Sequence, residues 1–352
     1  MPCAKLDTMG TILPITYFSQ IGRPLMAGLL VLACLAGLSG AVNLCRDRPV
    51  WQRAAGLLLP LTCLVFLAGF IWICWFHYQI YHLLPLELPA AVHEWLNRQL
   101  ANAAGPAGHS LPLYNPAQPP RYTIPVWIEN EKYYFWFMCY AGMAYLGGRR
   151  QRHHRFLAVL HLLLAVQVVI LFAVADPFAR PLPQFSAEVG PWLAAGERHA
   201  AAQVGLFMQL YPRMIFYYNA HYMWLHPPLL FLAYASITIV FVVSGFMLVR
   251  REPELERLGY DFAKFGYLLL TIGMLLGYPW ALQAWGPNWW WDPKICSSLM
   301  MWAVFTTYLH TRLYANKPAM WYFSAILGIV CFLAMLFTFL TSFYFPGEHT
   351  FQ

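Results

Sequence analysis

Long apolar runs recur along this chain, each about twenty residues with almost no charge in its interior, separated by polar stretches of very different lengths. As a helix, a run of that length crosses a hydrocarbon layer about 30 Å thick. The pattern predicts spans at 24–44, 54–76, 133–146, 156–175, 224–249, 262–283, 296–311 and 320–345. The third is short, and the aromatic run YYFWF at its start suits an interfacial anchor. Inside lipid a backbone must satisfy its own polar groups, which helices do. The predicted fold class is therefore all-α, a polytopic integral membrane bundle of about eight transmembrane helices.

The polar stretches sort into two kinds. Four are short and basic: they hold Arg46, Arg48 and Arg53; Arg149, Arg150, Arg152 and Arg155; Arg250, Arg251 and Arg257 with Lys264; and Arg312 with Lys317. Eight spans put all four on one side, which the positive-inside rule makes cytoplasmic, with both termini outside. The expected location is a bacterial inner membrane. The first apolar run begins only after Pro24 and continues into an Arg-rich loop, as an ordinary first span does, so no signal peptide is expected.

Outside fall two long segments, 77–132 and 176–222, and the short connection between the sixth and seventh spans. The first contains GPAGHSLPLYNPAQPP, whose Pro and Gly density predicts extended, weakly ordered chain. The second ends in QLYPRMIFYYNAHYMW, aromatic enough to lie along a membrane surface. An N-terminal two-span region with a Pro-rich outer loop, 1–121, is thus set apart from a second region, 122–352.

Composition agrees with the pattern. A chain that is 60% hydrophobic, 17% aromatic and 11% charged cannot cover itself with a water-facing surface. A net charge of +7 would suit a nucleic-acid partner, but the positive residues sit in short loops where orientation signals belong, so no nucleic acid is expected. The eight cysteines include no CxxC pair and most lie inside apolar runs, which indicates neither a disulfide framework nor a zinc site.

Between the sixth and seventh spans the chain reads WGPNWWWDPK, concentrating Trp285, Trp289, Trp290, Trp291 and Asp292 in one short outer connection. An aromatic belt also collects Trp, but it scatters its residues. A flat apolar ring with a polar edge wants aromatic faces and N–H donors or cations, and haem is such a ring. Lys294 is placed to meet a propionate, and Asp292 to accept backbone or indole N–H bonds. Iron needs axial ligands, usually histidine. His226, in LHPPLLF, opens the fifth span at its outer end, and His349, in FPGEHTF, lies just beyond the outer end of the last. Both are expected at the height of the tryptophan turn, although a polar residue at a helix end explains either one alone. His310, in TTYLHTR, and His161 sit near the cytoplasmic ends of the seventh and fourth spans, where they could bind a second haem, or His310 could await a partner's histidine. His221 is the rival to His226.

These residues together carry a family resemblance. WGPNWWWDPK followed by SSLMMW, preceded by LHPPLLFLAY and followed by YLHTR, resembles the cytochrome c assembly haem-handling family with a tryptophan-rich WWD loop, the CcsA/ResC and CcmF-like group. The resemblance covers roughly residue 122 to the C-terminus, and TIPVWIENEKYYFWF and DPFARPLP are similar to stretches of the CcmF-like branch. It implies that Trp285, Trp289, Trp291 and Asp292 belong to an external haem-binding loop, that His226 and His349 are its axial ligands, and that His310 is the family's intramembrane histidine. The implied cofactor is haem, b-type, bis-histidine ligated and held transiently. One position departs from the pattern: Ile295 stands where the family usually has Glu. A second intramembrane histidine of the CcmF-like branch lies beyond the matched region, so a partner subunit or His161 is expected to stand in for it.

The function implied is that of a membrane subunit of a haem lyase complex, with haem, apocytochrome c and a second membrane subunit as partners. Neither a nucleophile nor an acid–base dyad is legible, which suits a catalyst that works by positioning. Alternatives are a haem exporter or chaperone that forms no bonds, a haem b electron-transfer subunit with the same histidines, and a proton-coupled transporter.

Overall fold

The computed structural model describes residues 13–45, 49–85, 87–88, 92–102, 113–151, 153–195, 200–314 and 317–346. Among them the chain forms eleven α-helices joined by loops and short 3-10 and π turns, with no strand beyond an isolated bridge between Pro85 and Arg121. Eight helices have 19 residues or more: α1 (Ile15–Cys45), α2 (Pro49–Leu83), α4 (Glu131–Arg150), α5 (His154–Val174), α8 (His226–Val249), α9 (Pro253–Trp285), α10 (Pro293–Thr311) and α11 (Pro318–Tyr344). Each stands where a span is predicted. By length and composition six of them, all but α4 and α10, can cross a membrane. Several run past the apolar stretch, as α2 does to Leu83, because a helix does not have to stop where its side chains turn polar.

α10 is one of the two less apolar ones, and its hydroxyls show how it tolerates apolar surroundings. Ser298 bonds back to the Lys294 carbonyl, Thr306 to that of Trp302 and Thr307 to that of Ala303, so each O–H is satisfied within the helix.

The chain divides into two compact units. The first comprises 1–26, 68–134 and 175–224, the second 27–67, 135–174 and 225–352. In the first unit the two long segments read as lying on one side come together, with the short helices α3 (His93–Asn102), α6 (Pro183–Ala195) and α7 (Ala200–Arg213). Part of the aromatic run at 209–224 belongs to the interior: Tyr211, Met214 and Tyr218 are buried within the unit, while Trp224 is exposed. Tyr218 meets Tyr122 and Phe185 edge to face, at centroid distances of 5.7 and 5.2 Å. Asn219 accepts from the Thr123 amide and donates to the Arg121 carbonyl, fastening the two segments together. Of the Pro-rich stretch, residues 105–112 lie outside the described residues, and Tyr114 beyond them is buried with its backbone N–H and carbonyl both bonded to the Asn97 side chain.

In the second unit α8 is the central helix. It packs against α9, α11 and α5, and 67% of the apolar 18-residue window taken from 221–249 is buried, against 28–39% for the other five spans. A helix apolar on every side belongs in such a place. Its contact with α9 is made close by glycines seven residues apart: a Cβ on Gly259 would come within 2.7 Å of Val243, one on Gly266 within 2.6 Å of Ser236, and one on Gly273 within 2.8 Å of Leu230. Small residues at such an interface let two helices gain dispersion contact that bulkier ones would prevent.

Candidate functional site

α9 ends at Trp285 because Gly286 adopts a left-handed φ of 74°, open to glycine without strain, and Pro287 follows. A 3-10 turn, Gly286–Trp291, leads to α10. Asp292 starts that helix: its Oδ1 accepts from the Lys294 amide at 2.9 Å and the Ile295 amide at 3.2 Å, with Pro293 in the first helical position. The tight turn gives the three consecutive indoles different fates. Trp289 is 6% exposed, Trp290 50% and Trp291 84%. Trp289 and Trp290 stack at 4.2 Å, Tyr278 meets the edge of Trp289 at 5.4 Å, and Trp285 lies against Trp280 at 4.7 Å.

Beneath these rings is a cavity of about 370 Å³, within the usual range for a small-molecule site. Trp285, Trp289, Trp290, Lys294 and Ile295 line it on one side, and His226 on another. The remaining wall is mostly apolar and comes from α8, α9 and α10, with Leu230, Met274, Tyr278 and Trp302 among its residues. His226 reaches it from the first turn of α8, where Pro227 and Pro228 need no helical donor. Its Nδ1 bonds to the Gly273 carbonyl at 2.6 Å. Since a carbonyl can only accept, Nδ1 carries a proton, and in the neutral ring the lone pair is then on Nε2, the form in which imidazole binds a metal. The Nε1 of Trp289, at the back of this wall, is buried without a hydrogen-bond partner.

Of the histidines and indoles that the sequence singles out, the structure therefore brings His226, Trp285, Trp289, Trp290 and Lys294 to one cavity. Trp291 is not among its lining residues. His349 lies outside the described residues. His161 is buried on α5 with an unpartnered Nδ1, and His310 is exposed on α10, bonded to the Thr306 carbonyl of its own helix. α5 packs on α8, while α10 packs on α9 and α11. The cavity face of α9 was not singled out from the sequence. Its one legible signal is the Gly273-x-x-x-Gly277 spacing inside an apolar run, the small-residue pattern of close helix contacts.

A polytopic helical membrane protein is thus defined, with an indole-walled cavity in which one histidine meets a tryptophan-rich turn. The family model described as Cytochrome C assembly protein matches residues 128–349, well over half of the chain. This chain belongs to the cytochrome c assembly family. It is 40% identical over 78 residues to a cytochrome c biogenesis protein CcsA of Cyanophora paradoxa, covering 22% of this chain and 24% of that one. With the protein of that name from Chlamydomonas reinhardtii it shares 33% over 139 residues, 35% of this chain and 38% of that one. The matched stretches thus span from about a quarter to just over a third of these relatives. Among solved structures, a cytochrome c heme lyase CcmF superposes with a TM-score of 0.61 at 18% identity, over 92% of this chain and 47% of that one, a likeness of fold.

Proposed function

We propose that this chain is a membrane subunit of a haem lyase complex, holding haem at the extracytoplasmic face of a bacterial inner membrane and presenting it to apocytochrome c. The observation that carries this is the shared cavity: His226 and the indoles of a distant turn wall one apolar space. That donor set fits haem, which is apolar across its faces, bears carboxylates at one edge and needs nitrogen on its iron.

His226 would ligate through Nε2, and His349 would supply the opposite ligand. Trp289 and Trp290 would lie along the ring, and Lys294 would meet its propionates. The bond-forming chemistry belongs to the substrates: each thiol of a CxxCH segment adds across a vinyl group, sulfur to one carbon and hydrogen to the other, with no leaving group. This chain would hold the ring in one orientation, exclude water from it and keep the iron coordinated until the substrate's histidine displaces a ligand. His310 and His161 would serve haem passage deeper in the bilayer, with a second membrane subunit contributing there.

The test is the optical spectrum of the purified full chain loaded with haem. His226→Ala and His349→Ala, singly and together, are expected to weaken haem binding or leave it five-coordinate, with partial restoration by free imidazole. A wild-type spectrum in the double variant overturns the ligand assignment. Incubation of the loaded chain, with its partner subunit, and a CxxCH peptide is expected to give covalent haem that survives acid–acetone extraction. Extractable haem with intact binding would make it a carrier rather than a lyase subunit.

A further inference from the structure

His226 does not owe its orientation to its own helix. Its ring leaves the first turn of α8 and lies on the surface of α9, over Gly277. A Cβ built on Gly277 would stand 2.6 Å from Cε1, 2.8 Å from Nδ1 and 3.3 Å from Nε2 of that ring. Carbon atoms in good contact are about 3.5–4.0 Å apart, so no side chain larger than hydrogen admits this pose. One turn earlier, the Gly273 carbonyl receives the Nδ1 proton at 2.6 Å. Gly273 is itself closely approached, since a Cβ there would meet Leu230 at 2.8 Å, and that close contact sets the distance from α8 to the accepting carbonyl. The two glycines thus act as a pair: one lets the ring lie flat, and the other gives it a proton acceptor.

Packing alone would explain a bare helix face. It does not explain why the bareness ends at the cavity, with the imidazole of a lining residue between the glycines. Farther along the same stripe, the atoms nearest a Cβ on Gly266 belong to the Ser236 side chain and the Ala233 carbonyl of α8, and those nearest one on Gly259 belong to Val243. At the cavity end the partner changes from an apolar or hydroxyl side chain to a ring that can bind metal.

We propose that Gly277, with the Gly273 carbonyl, is a positioning seat that fixes the tautomer and ring plane of His226 so that Nε2 is the nitrogen offered to iron. The proposal rests on the assignment of His226 as a haem ligand. Metal-binding histidines are commonly oriented by an acceptor on the other nitrogen, and a carboxylate there raises the basicity of the ring strongly. A backbone carbonyl is neutral and does so less. The seat therefore makes a well-oriented ligand of moderate strength, which is what a site must have if the substrate's own histidine is to displace it.

Gly277→Ala in the full chain tests this. It is expected to reproduce the haem spectrum of His226→Ala, with affinity for added haem lowered about 10- to 100-fold, as for other losses of a partner that orients a ligand. Free imidazole should restore six-coordinate haem, and combining Gly277→Ala with His226→Ala should change the spectrum no further. Gly266→Ala, the same substitution where α9 meets Ser236, should lower thermal stability yet keep the wild-type spectrum. Should Gly277→Ala keep that spectrum while His226→Ala loses it, the seat is overturned and the ligand assignment stands. Should His226→Ala also keep it, the ligand assignment itself falls, and the proposal with it. A second measurement needs neither haem nor a variant that folds: nitrogen-15 NMR of the ligand-free wild-type chain should find His226 protonated on Nδ1, and protonation on Nε2 would overturn the seat.

Discussion

Asp292 stands beside three indoles and invites a role in binding, yet its Oδ1 is engaged in starting α10, where it accepts from two amides. Asparagine keeps an oxygen in that place and alanine does not, so the pair separates the cap from the charge. Asp292→Ala should cost about 1 kcal/mol of stability and Asp292→Asn a small part of that. Thermal unfolding of the haem-free chain reads the cap, and haem retention reads the site. Equal loss of retention in both variants would mean that the negative charge itself matters, against the expectation that Asn resembles wild type. The neighbouring indoles show what a sequence can and cannot carry at this scale. Their concentration is plain in the letters, but their order of importance is not. Exposures of 6, 50 and 84% for Trp289, Trp290 and Trp291 follow from the winding of a 3-10 turn, which composition does not encode. Ile295 likewise becomes intelligible only in place, as part of the cavity wall.

Between elements, the two segments of the first unit are joined by an unusual device. Glu129, at a left-handed φ of 46°, caps α6 from across the fold: its two carboxylate oxygens accept from the Gln184 amide at 2.7 Å and the Phe185 amide at 2.9 Å. Leu182, at φ 42°, turns the chain just before that helix, and its amide donates to Glu131. A non-glycine residue in this region costs about 1–2 kcal/mol, so the surrounding contacts hold two strained residues in place. Burial is the main cause that pushes the Glu129 carboxyl from 4.5 up to about 7; the two amides and Lys132 work against it, and the charge of Glu188 adds to it. The folded form therefore binds this proton more tightly than the unfolded one. The resulting stability is full below pH 4.5 and is lost as pH rises to about 7. Hydrogen exchange at the Gln184 and Phe185 amides, corrected for intrinsic rates, should show protection falling across that window, by at most about tenfold per pH unit. Glu129→Gln should flatten the dependence, and an unchanged slope in that variant would assign the proton elsewhere. The sequence offered TIPVWIENEK and DPFARPLP as recognisable stretches, but nothing in either predicts that one caps the other's helix. Pairing over more than fifty residues leaves no periodic trace.

For the whole chain, the legible part was what lipid enforces. Every backbone group in a hydrocarbon layer must be satisfied within its own segment, so six of the eight long helices are announced by length and hydropathy, and the structure has a helix at each of the eight predicted spans. The loop segments of the first unit obey no such rule: their buried tyrosines and side-chain caps resemble a water-soluble core, and Tyr211 and Tyr218 of QLYPRMIFYYNAHYMW belong to it while Trp224 stays exposed. The proposed function makes sidedness decisive, since a turn that is to offer haem to a cytochrome outside must itself face outward. The four basic connections argue for this, because lysine and arginine are retained on the cytoplasmic side. Trp291, at the tryptophan-rich turn, and Arg250, at the end of α8 next to a basic connection, are both exposed and suit a direct comparison. In an otherwise cysteine-free chain, Trp291→Cys should react with a membrane-impermeant maleimide on spheroplasts whose inner membrane is intact, and Arg250→Cys only once that membrane is permeabilised. The reverse pattern would put the indoles in the cytoplasm, where they could not present haem to a cytochrome outside, whatever the cavity binds.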